Sequence, residues 1–433
     1  MRPPVKIKNL TREEYKGIIK RSRENLPKIF PKIIPIIEQV KDKGDEAVLK
    51  FTRKFDGVIL SLEEIRVKKE KIKEAYKKVS PQLIQSLKKM KEQIEDFHRH
   101  QIRKNYILKK NFSNRKESAY ILGERFVPVK RAAVYVPGGK ADYPSTAIMG
   151  VVPAKLAKVS EVIVASPPEI SSSVMVASDI AGADLLINVG GPQAIAALAC
   201  GTQMIPRVDI VVGPGNIYVT AAKSYLASLG EIGIDCPAGP SEILIIADDQ
   251  ANPIYIAWDI IAQAEHDENA CSILVTTSKE LANKVYEKLR RLVPTTLKKA
   301  IIQKSLANYG AILIVDSIDE ATQFANDFAP EHLEIITAHS DKILSCITNA
   351  GSIFLGPFSP VAAGDYLSGT NHILPTGSLA KFFSGLSVET FLKRMTYQKI
   401  SPEALKLMQK DIANLAKQEG YQAHLSSIQA RLA

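Results

Sequence analysis

The sequence predicts an α/β protein built from two similar open, mostly parallel, doubly wound domains of incomplete Rossmann-like form. A helical N-terminal segment and a helical C-terminal tail flank them. Three observations predict this. Up to about residue 130, apolar residues recur at three- and four-residue spacing, the period of a helix. At Arg131 the texture changes, and short β-branched runs alternate with Gly/Pro punctuation and helix-like stretches, the grammar of parallel βα units. From about Ser387 the strand-like runs stop and helical spacing returns.

In the first segment, residues 1–130, the apolar stripe runs through PKIIPIIEQVKDKGDEAVLKFTRKF and PQLIQSLKKMKEQIEDFHRH. This segment is expected to pack on the second α/β domain. Residues 131–240 form the first α/β domain, with strand-like AAVYV, VIVA, LLINV and DIVV. Each run ends in small residues or proline before a helix such as PSTAIMGVVPAKLAKV. Residues 241–386 repeat the grammar in ILIIAD, SILVTT, AILIV, HLEIIT and SIFLG. That suggests an internal duplication, although no residue-level repeat accompanies it. In the tail, residues 387–433, SVETFLKRMTYQ, SPEALKLMQKDIANLAKQE and YQAHLSSIQARL read as helices. Ser401-Pro402-Glu403 is a helix start and Gly420 a stop. Such short helices build no core alone and must pack on another domain or another subunit.

The net charge of +11 is uneven: +17 over residues 1–130 and −6 over the rest. A basic region raises nucleic-acid binding. Here the lysines alternate with acids at helical spacing, as in KKEKIKEAYKKV, which suits a solvated helix face. No aromatics interleave with them and no nucleic-acid motif is present, so that class is set aside. No apolar run reaches the roughly 18 residues that span a bilayer, so no membrane partner is expected. The first residues hold no apolar leader and an early acidic pair, which predicts a cytoplasmic protein. Cys200, Cys236, Cys271 and Cys346 are far apart and form no CxxC, so they make neither a disulfide framework nor a cysteine zinc site.

Chemistry is expected where strands meet loops. VPGGKADYPSTA, NVGGPQAIAA and VGPGNIYVTAAK are glycine-bearing junctions whose following helix offers free N–H groups to an anion. None is a GxGxxG or a P-loop, so the residues alone leave two readings, an anionic ligand or ordinary α/β turns. Of seven histidines, His98, His100 and His339 lie among charged or polar residues and read as surface groups. His266, His332, His372 and His424 lie beside carboxylates or in loops of small residues. Gln263 and His266 are three apart on a helix-like run, so both face one way. Asp365 follows Gly364 in what reads as a loop. Two imidazoles and a carboxylate suit zinc. Taken singly each of these is simply a structural residue, and only their convergence makes a site. Glu331 and His332 open a strand-like run, where an acid and an imidazole can share proton transfers near neutral pH.

Ile234-Asp235-Cys236-Pro237-Ala238-Gly239-Pro240-Ser241-Glu242 resembles the signature of histidinol dehydrogenases. So do RAAVYVPGG, NVGGPQAIAAL, GPGN, QAEHD, APEHLE, GPFSPVAAGDYLSGTNHILPT and EGYQAH, in the family's order, over roughly residues 130–425. The resemblance implies oxidation of L-histidinol to L-histidine through histidinal, the last steps of histidine biosynthesis. It implies one zinc per subunit held by Gln263, His266, Asp365 and His424, with substrate nitrogens completing the shell. Glu331 and His332 would be the acid–base pair, His332 the base and Glu331 the activator of water. Ser241, His332, His372, Glu419 and the zinc ligands would line the substrate site, and Tyr135, Gln193 and Asn216 would contact NAD. It also implies a homodimer with shared active sites, each tail delivering Glu419 and His424 to the neighbour. Other readings are a thiohemiacetal route through Cys236, a zinc hydrolase, a relative acting on another amino alcohol or a sulfonated diol, and a noncatalytic basic binding protein.

Overall fold

The computed structural model describes residues 1–21, 26–112, 119–138 and 142–433. The chain divides into two compact units, residues 1–101 with 130–391, and residues 102–129 with 392–433.

The larger unit begins with β1 (Val5–Lys6), α1 (Arg12–Lys20), α2 (Phe30–Lys43), α3 (Asp45–Asp56), α4 (Lys69–Lys78) and α5 (Pro81–Arg99). Thr11 and Glu14 close a capping box on α1, satisfying two free N–H groups of its first turn. After β2 (Tyr106–Asn111) and β3 (Ala119–Pro128), which belong to the smaller unit, the first sheet follows. Its strands are β4 (Arg131–Tyr135), β5 (Glu161–Ala165), β6 (Leu185–Ile187), β7 (Ile210–Val212) and β8 (Gly233–Ile234). They run parallel in the order β6-β5-β4-β7-β8. Helices α6 (Pro144–Leu156), α7 (Ser172–Ala181), α8 (Gly191–Cys200) and α9 (Ile217–Ser228) connect them. The order reverses between β4 and β7, and the crevice beyond the strand ends there is the usual ligand position of an open sheet.

The second sheet contains β9 (Glu242–Ala247), β10 (Cys271–Thr276), β11 (Gly310–Ile314), β12 (His332–Ile336) and β13 (Ser352–Leu355). The parallel order is β1-β11-β10-β9-β12-β13. Every residue of β9, β10 and β12 is buried, as a sheet covered on both faces requires. Its helices are α10 (Pro253–Ala264), α11 (Lys279–Leu292), α12 (Lys299–Tyr309), α13 (Ile318–Phe328), α14 (Ser340–Leu344) and α15 (Val361–Tyr366). The nine strand-like runs expected from the sequence are β4–β7 and β9–β13.

Two expectations are corrected here. Among the described residues, β1 and α1 of the N-terminal region pack into the core of the second α/β layer, where Tyr15 meets Phe324 edge-on. Helices α2 and α3 instead share a core with α8 and α9 of the first layer, through Ile33, Ile37, Val40, Val48 and Phe51. The alanines of α8 leave shallow grooves that this aliphatic stripe fills. His98 is also not a surface residue. It lies on the buried stripe of α5 with Leu87, Met90 and Ile94, and its Nδ1 donates to the Ile94 carbonyl at 2.9 Å.

In the smaller unit, β14 (Leu392–Ile400) pairs antiparallel with β3, and β3 with β2. Helices α16 (Pro402–Gln418) and α17 (Gln422–Leu432) follow. Ser401 caps α16 through Ala404 N–H, and Gly420 follows it with φ +75°, as the sequence predicts. The expected helix over SVETFLKRMTYQ is instead a 3-10 turn at Val388–Phe391 and then β14. Among the described residues no helix is long and apolar enough to cross a membrane.

Candidate active site

Helix α13 ends at Ala329, whose φ of +49° reverses the chain, and Pro330 cannot extend it. Glu331 and His332 therefore fall at the mouth of β12, beside the first residue of β9, Glu242. One residue of β9 holds both side chains through its backbone. Glu242 N–H donates to Glu331 Oε2 at 2.7 Å, and His332 Nδ1 donates to the Glu242 carbonyl oxygen at 3.0 Å. A carbonyl only accepts, so the ring proton sits on Nδ1 and Nε2 carries the free lone pair. Nε2 is buried without a hydrogen-bond partner and lies 3.9 Å from Asp365 Oδ1. Burial pushes the His332 pKa down to about 4, so the ring is a neutral base at pH 7. Burial pushes the Glu331 carboxyl well up, and the carboxylates of Glu242 and Asp365 add to the shift.

The Glu242 side chain is itself locked. Arg21 Nε and Nη2 grip its two carboxylate oxygens at 2.5 and 2.6 Å, and Gly377 N–H donates to Oε1 at 2.8 Å. The guanidinium also lies 3.6 Å above the Phe328 ring. A planar fork suits this double task as an ammonium would not.

Asp365 lies in the short helix α15, not in a loop as the sequence reading has it. Burial pushes its carboxyl up to about 7. His372 donates from Nδ1 to the Asp365 backbone carbonyl at 3.1 Å and accepts at Nε2 from the Thr146 hydroxyl at 3.3 Å. Burial lowers its pKa to about 4. Gln263 is buried in the last turn of α10 with its Nε2 unpartnered. His266 stands two residues beyond that helix, solvent-accessible but crowded enough to lower its pKa. It is close enough to His332 and His372 to disfavour a charge on either. Ser241 immediately precedes β9. A cavity of about 690 Å³, lined by Tyr143, His266, Lys298 and Tyr366, opens beside this cluster. Glu331, His332, Asp365, His372 and His266 thus converge. Glu419 and His424 belong to the smaller unit, where both are exposed and the His424 ring stacks on Tyr421 at 5.0 Å.

The expected nucleotide residues lie on the C-terminal edge of the first sheet. Tyr135 ends β4, and its hydroxyl accepts from Gly191 N–H at 3.0 Å. Asn216 caps α9 through Tyr218 and Val219 N–H. Gln193 is fully buried, and its amide donates to Asp56 at 3.4 Å. A cavity of about 800 Å³ is lined by Tyr135, Asn216, Gly138, Gly191, Lys54 and Asp56. Gly213, at φ +103°, lies so close to the Tyr135 carbonyl that a Cβ would fall 2.3 Å from it. A buried Lys223–Asp235 pair at 2.6 Å fastens this loop, since Lys223 also donates to Gly213 O and Asp235 accepts from Gly213 N–H. Gly139, Lys140 and Ala141 of the first glycine junction lie outside the described residues.

The sequence reading missed Glu242 as an anchor, and Arg21 and Thr146 altogether. Glu242 closes the signature segment and opens a fully buried strand, a place where a carboxylate needs a partner. Nothing local marks Arg21, 221 residues away.

A family model described as histidinol dehydrogenase matches residues 19–432. The chain belongs to the histidinol dehydrogenase family. It is 46% identical to histidinol dehydrogenase of Methanocaldococcus jannaschii, covering 99% of this chain and 98% of the relative. It is 45% identical to that of Clostridium acetobutylicum, covering 96% and 95%. The crystal structure of histidinol dehydrogenase from Elizabethkingia anophelis superposes with a TM-score of 0.91 at 34% identity, covering 98% of this chain and 96% of that one. The histidinol dehydrogenase family is one of oxidoreductases, and this chain is an enzyme of that class.

Proposed function

We propose that this chain oxidises L-histidinol to L-histidine through histidinal, with two NAD as hydride acceptors, one water consumed and three protons released. The observation that carries the reading is the fixed tautomer of His332, which leaves Nε2 as an unpartnered base at the cluster's centre. His332 takes the proton of the alcohol in the first oxidation. Glu331 takes a proton from the water that adds to the aldehyde. His332 then takes a hydroxyl proton of the hydrated aldehyde in the second oxidation.

The donor set fits zinc. Gln263 keeps a buried amide end unpartnered, and the amide's orientation is interchangeable, so its oxygen can face an ion. Together with His266 and Asp365 it offers amide, imidazole and carboxylate donors, which suit a borderline cation. Among the described residues no three His, Cys, Asp or Glu side chains gather as a metal site, and the fourth expected ligand, His424, is in the other unit. Bound zinc would orient the substrate, and bound NAD would accept a hydride in each oxidation. The crevice holding Tyr135 and Asn216, with Gln193 beside it, would take the NAD.

A homodimer with shared sites completes the reading. All six residues of β2 are exposed, and Leu407 and Leu415 of α16 and Tyr421 before α17 are uncovered. A three-stranded sheet with so little of its own to cover it suits burial against a second copy. Cys236 does not support a thiohemiacetal, because burial pushes its thiol up to about 12. The deciding test is purified protein with histidinol, NAD and zinc. Two NADH and one histidine per histidinol are expected. No NADH, or histidinal as the end product, would refute the assignment.

A further inference from the structure

One layer behind the cluster lies a second pair of carboxyls that the mechanism does not use. Glu334 on β12 is 1% exposed, and its Oε1 accepts from Val361 N–H at 3.0 Å. Its Oε2 is buried with no donor facing it, while the carboxyl of Asp259 on α10 stands against it. Two bare carboxylates do not share such a place, and a single proton between them turns the repulsion into a hydrogen bond. Burial raises both groups, Asp259 to about 6, which agrees with one proton being held there.

The position of each partner gives the pair a purpose. Asp259 is one helical turn before Gln263 on α10, so both lie along one side of that helix. Glu334 is two residues after His332 on β12, so both point to the same face of the sheet. Val361 is the first residue of α15, four before Asp365. The link therefore joins the three elements that present Gln263, His332 and Asp365.

We propose that Asp259 and Glu334 form a hydrogen-bonded positioning pair that fastens the head of α15 to β12 and α10, fixing Asp365 relative to His332. This rests on the functional reading only for its kinetic consequences, since the fastening itself is a property of the fold.

The test uses the zinc-loaded, full-length enzyme and separates hydrogen bonding from charge. Glu334→Gln keeps an acceptor for Val361 N–H and gives Asp259 an N–H donor. It should stay within about threefold of wild-type kcat, because both hydrogen bonds survive. Glu334→Leu removes both and should lower kcat by about 10- to 100-fold, with KM for histidinol moving less. Should Glu334→Leu fail to fold, Val361→Pro removes the N–H while leaving Glu334 and Asp259 in place. Proline is accepted at the first position of a helix, and Pro360 already has the extended ψ of 154° that suits a residue before proline. Relative to Val361→Ala, which keeps the N–H, Val361→Pro should lower kcat by about tenfold and speed amide exchange across residues 362–368. Equal kcat and exchange in Val361→Pro and Val361→Ala would overturn the proposal. So would a folded Glu334→Gln as defective as Glu334→Leu. If the wild type does not oxidise histidinol, the functional reading fails while the exchange comparison still decides the fastening.

Discussion

The two sheets of the larger unit present the candidate residues at opposite ends of their strands. The first offers the C-terminal ends of its strands, with Gly138, Gly191 and Gly213 at the turns and the N-termini of α8 and α9 beyond. The second offers the N-terminal ends, where Glu242, Glu331 and His332 are held by one another's backbone and side chains. Thr146, in the first turn of α6, bonds across to His372, so the two ends serve one region. The difference is chemical. Backbone N–H groups bind an anionic cofactor without titrating, whereas buried imidazoles and carboxyls move protons and need fixed tautomers. On the proposed reading, placing them on separate scaffolds lets each edge meet its own demand.

If that division holds, damage to the second sheet's edge should cost most. His332→Ala removes the proposed base for both oxidations and should lower turnover of histidinol and of histidinal by about 10²- to 10⁴-fold. Glu331→Gln should spare oxidation to the aldehyde and impair the hydration-dependent second step. Normal oxidation of supplied histidinal by Glu331→Gln would remove water activation from Glu331. Next in size are the proposed metal donors. Stripping the metal should abolish turnover and zinc should restore it, while His266→Asn or Asp365→Asn should each weaken zinc affinity by about 10- to 100-fold. Metal analysis alongside activity checks this, and full turnover by a verified metal-free enzyme would contradict it.

These edges were unequally legible in the sequence. The nine central strands stand out because each is a short apolar run containing β-branched residues, most of them next to glycine or proline. His266, His332, His372 and His424 stand out because they lie beside carboxylates or in loops of small residues. What escaped notice depends on distant partners. Val388, Phe391, Leu392 and Met395 have helical spacing, yet from Leu392 the chain pairs with β3, about 270 residues earlier, and becomes β14. His98 is flanked by charged residues, but it falls four after Ile94 on a buried stripe. Arg21 and the Asp259–Glu334 pair carry no local mark, since each matters only through a residue the fold brings near.

A third experiment asks where the tail acts. Co-expressed His332→Ala and His424→Ala chains should recover up to about half the activity of a wild-type dimer if tails cross, because one of two sites is then intact. Heterodimers that form but stay inactive would place each tail in its own chain's site. A smaller effect belongs to the first sheet. Asn216→Asp keeps the cap on α9, so the melting temperature should hold. The added charge at the cofactor crevice should raise KM for NAD roughly tenfold, about 1.4 kcal/mol, with kcat nearly unchanged. A fall in kcat equal to that of His332→Ala would erase the distinction between binding edge and proton-moving edge.

The smallest effect is expected at Cys236, which lies in the segment joining the two sheets and is the natural candidate for covalent chemistry. It is 2% exposed, and its Sγ faces the Leu374 carbonyl at 3.8 Å. Burial, reinforced by the negative charges of Asp235 and Glu331, pushes the thiol up to about 12, with Lys223 opposing only in part. At pH 7 the thiol then stays protonated, and the carbonyl beside the sulfur gives it no base. Cys236→Ala should therefore keep activity within about tenfold, with a stability loss of about 1 kcal/mol from the missing sulfur's packing. Kinetics and thermal melting on the same preparation read both quantities. A loss of several orders of magnitude with native melting, or a histidinal-derived adduct on Cys236 by mass spectrometry, would move the chemistry from the proton-moving edge to the junction between the sheets.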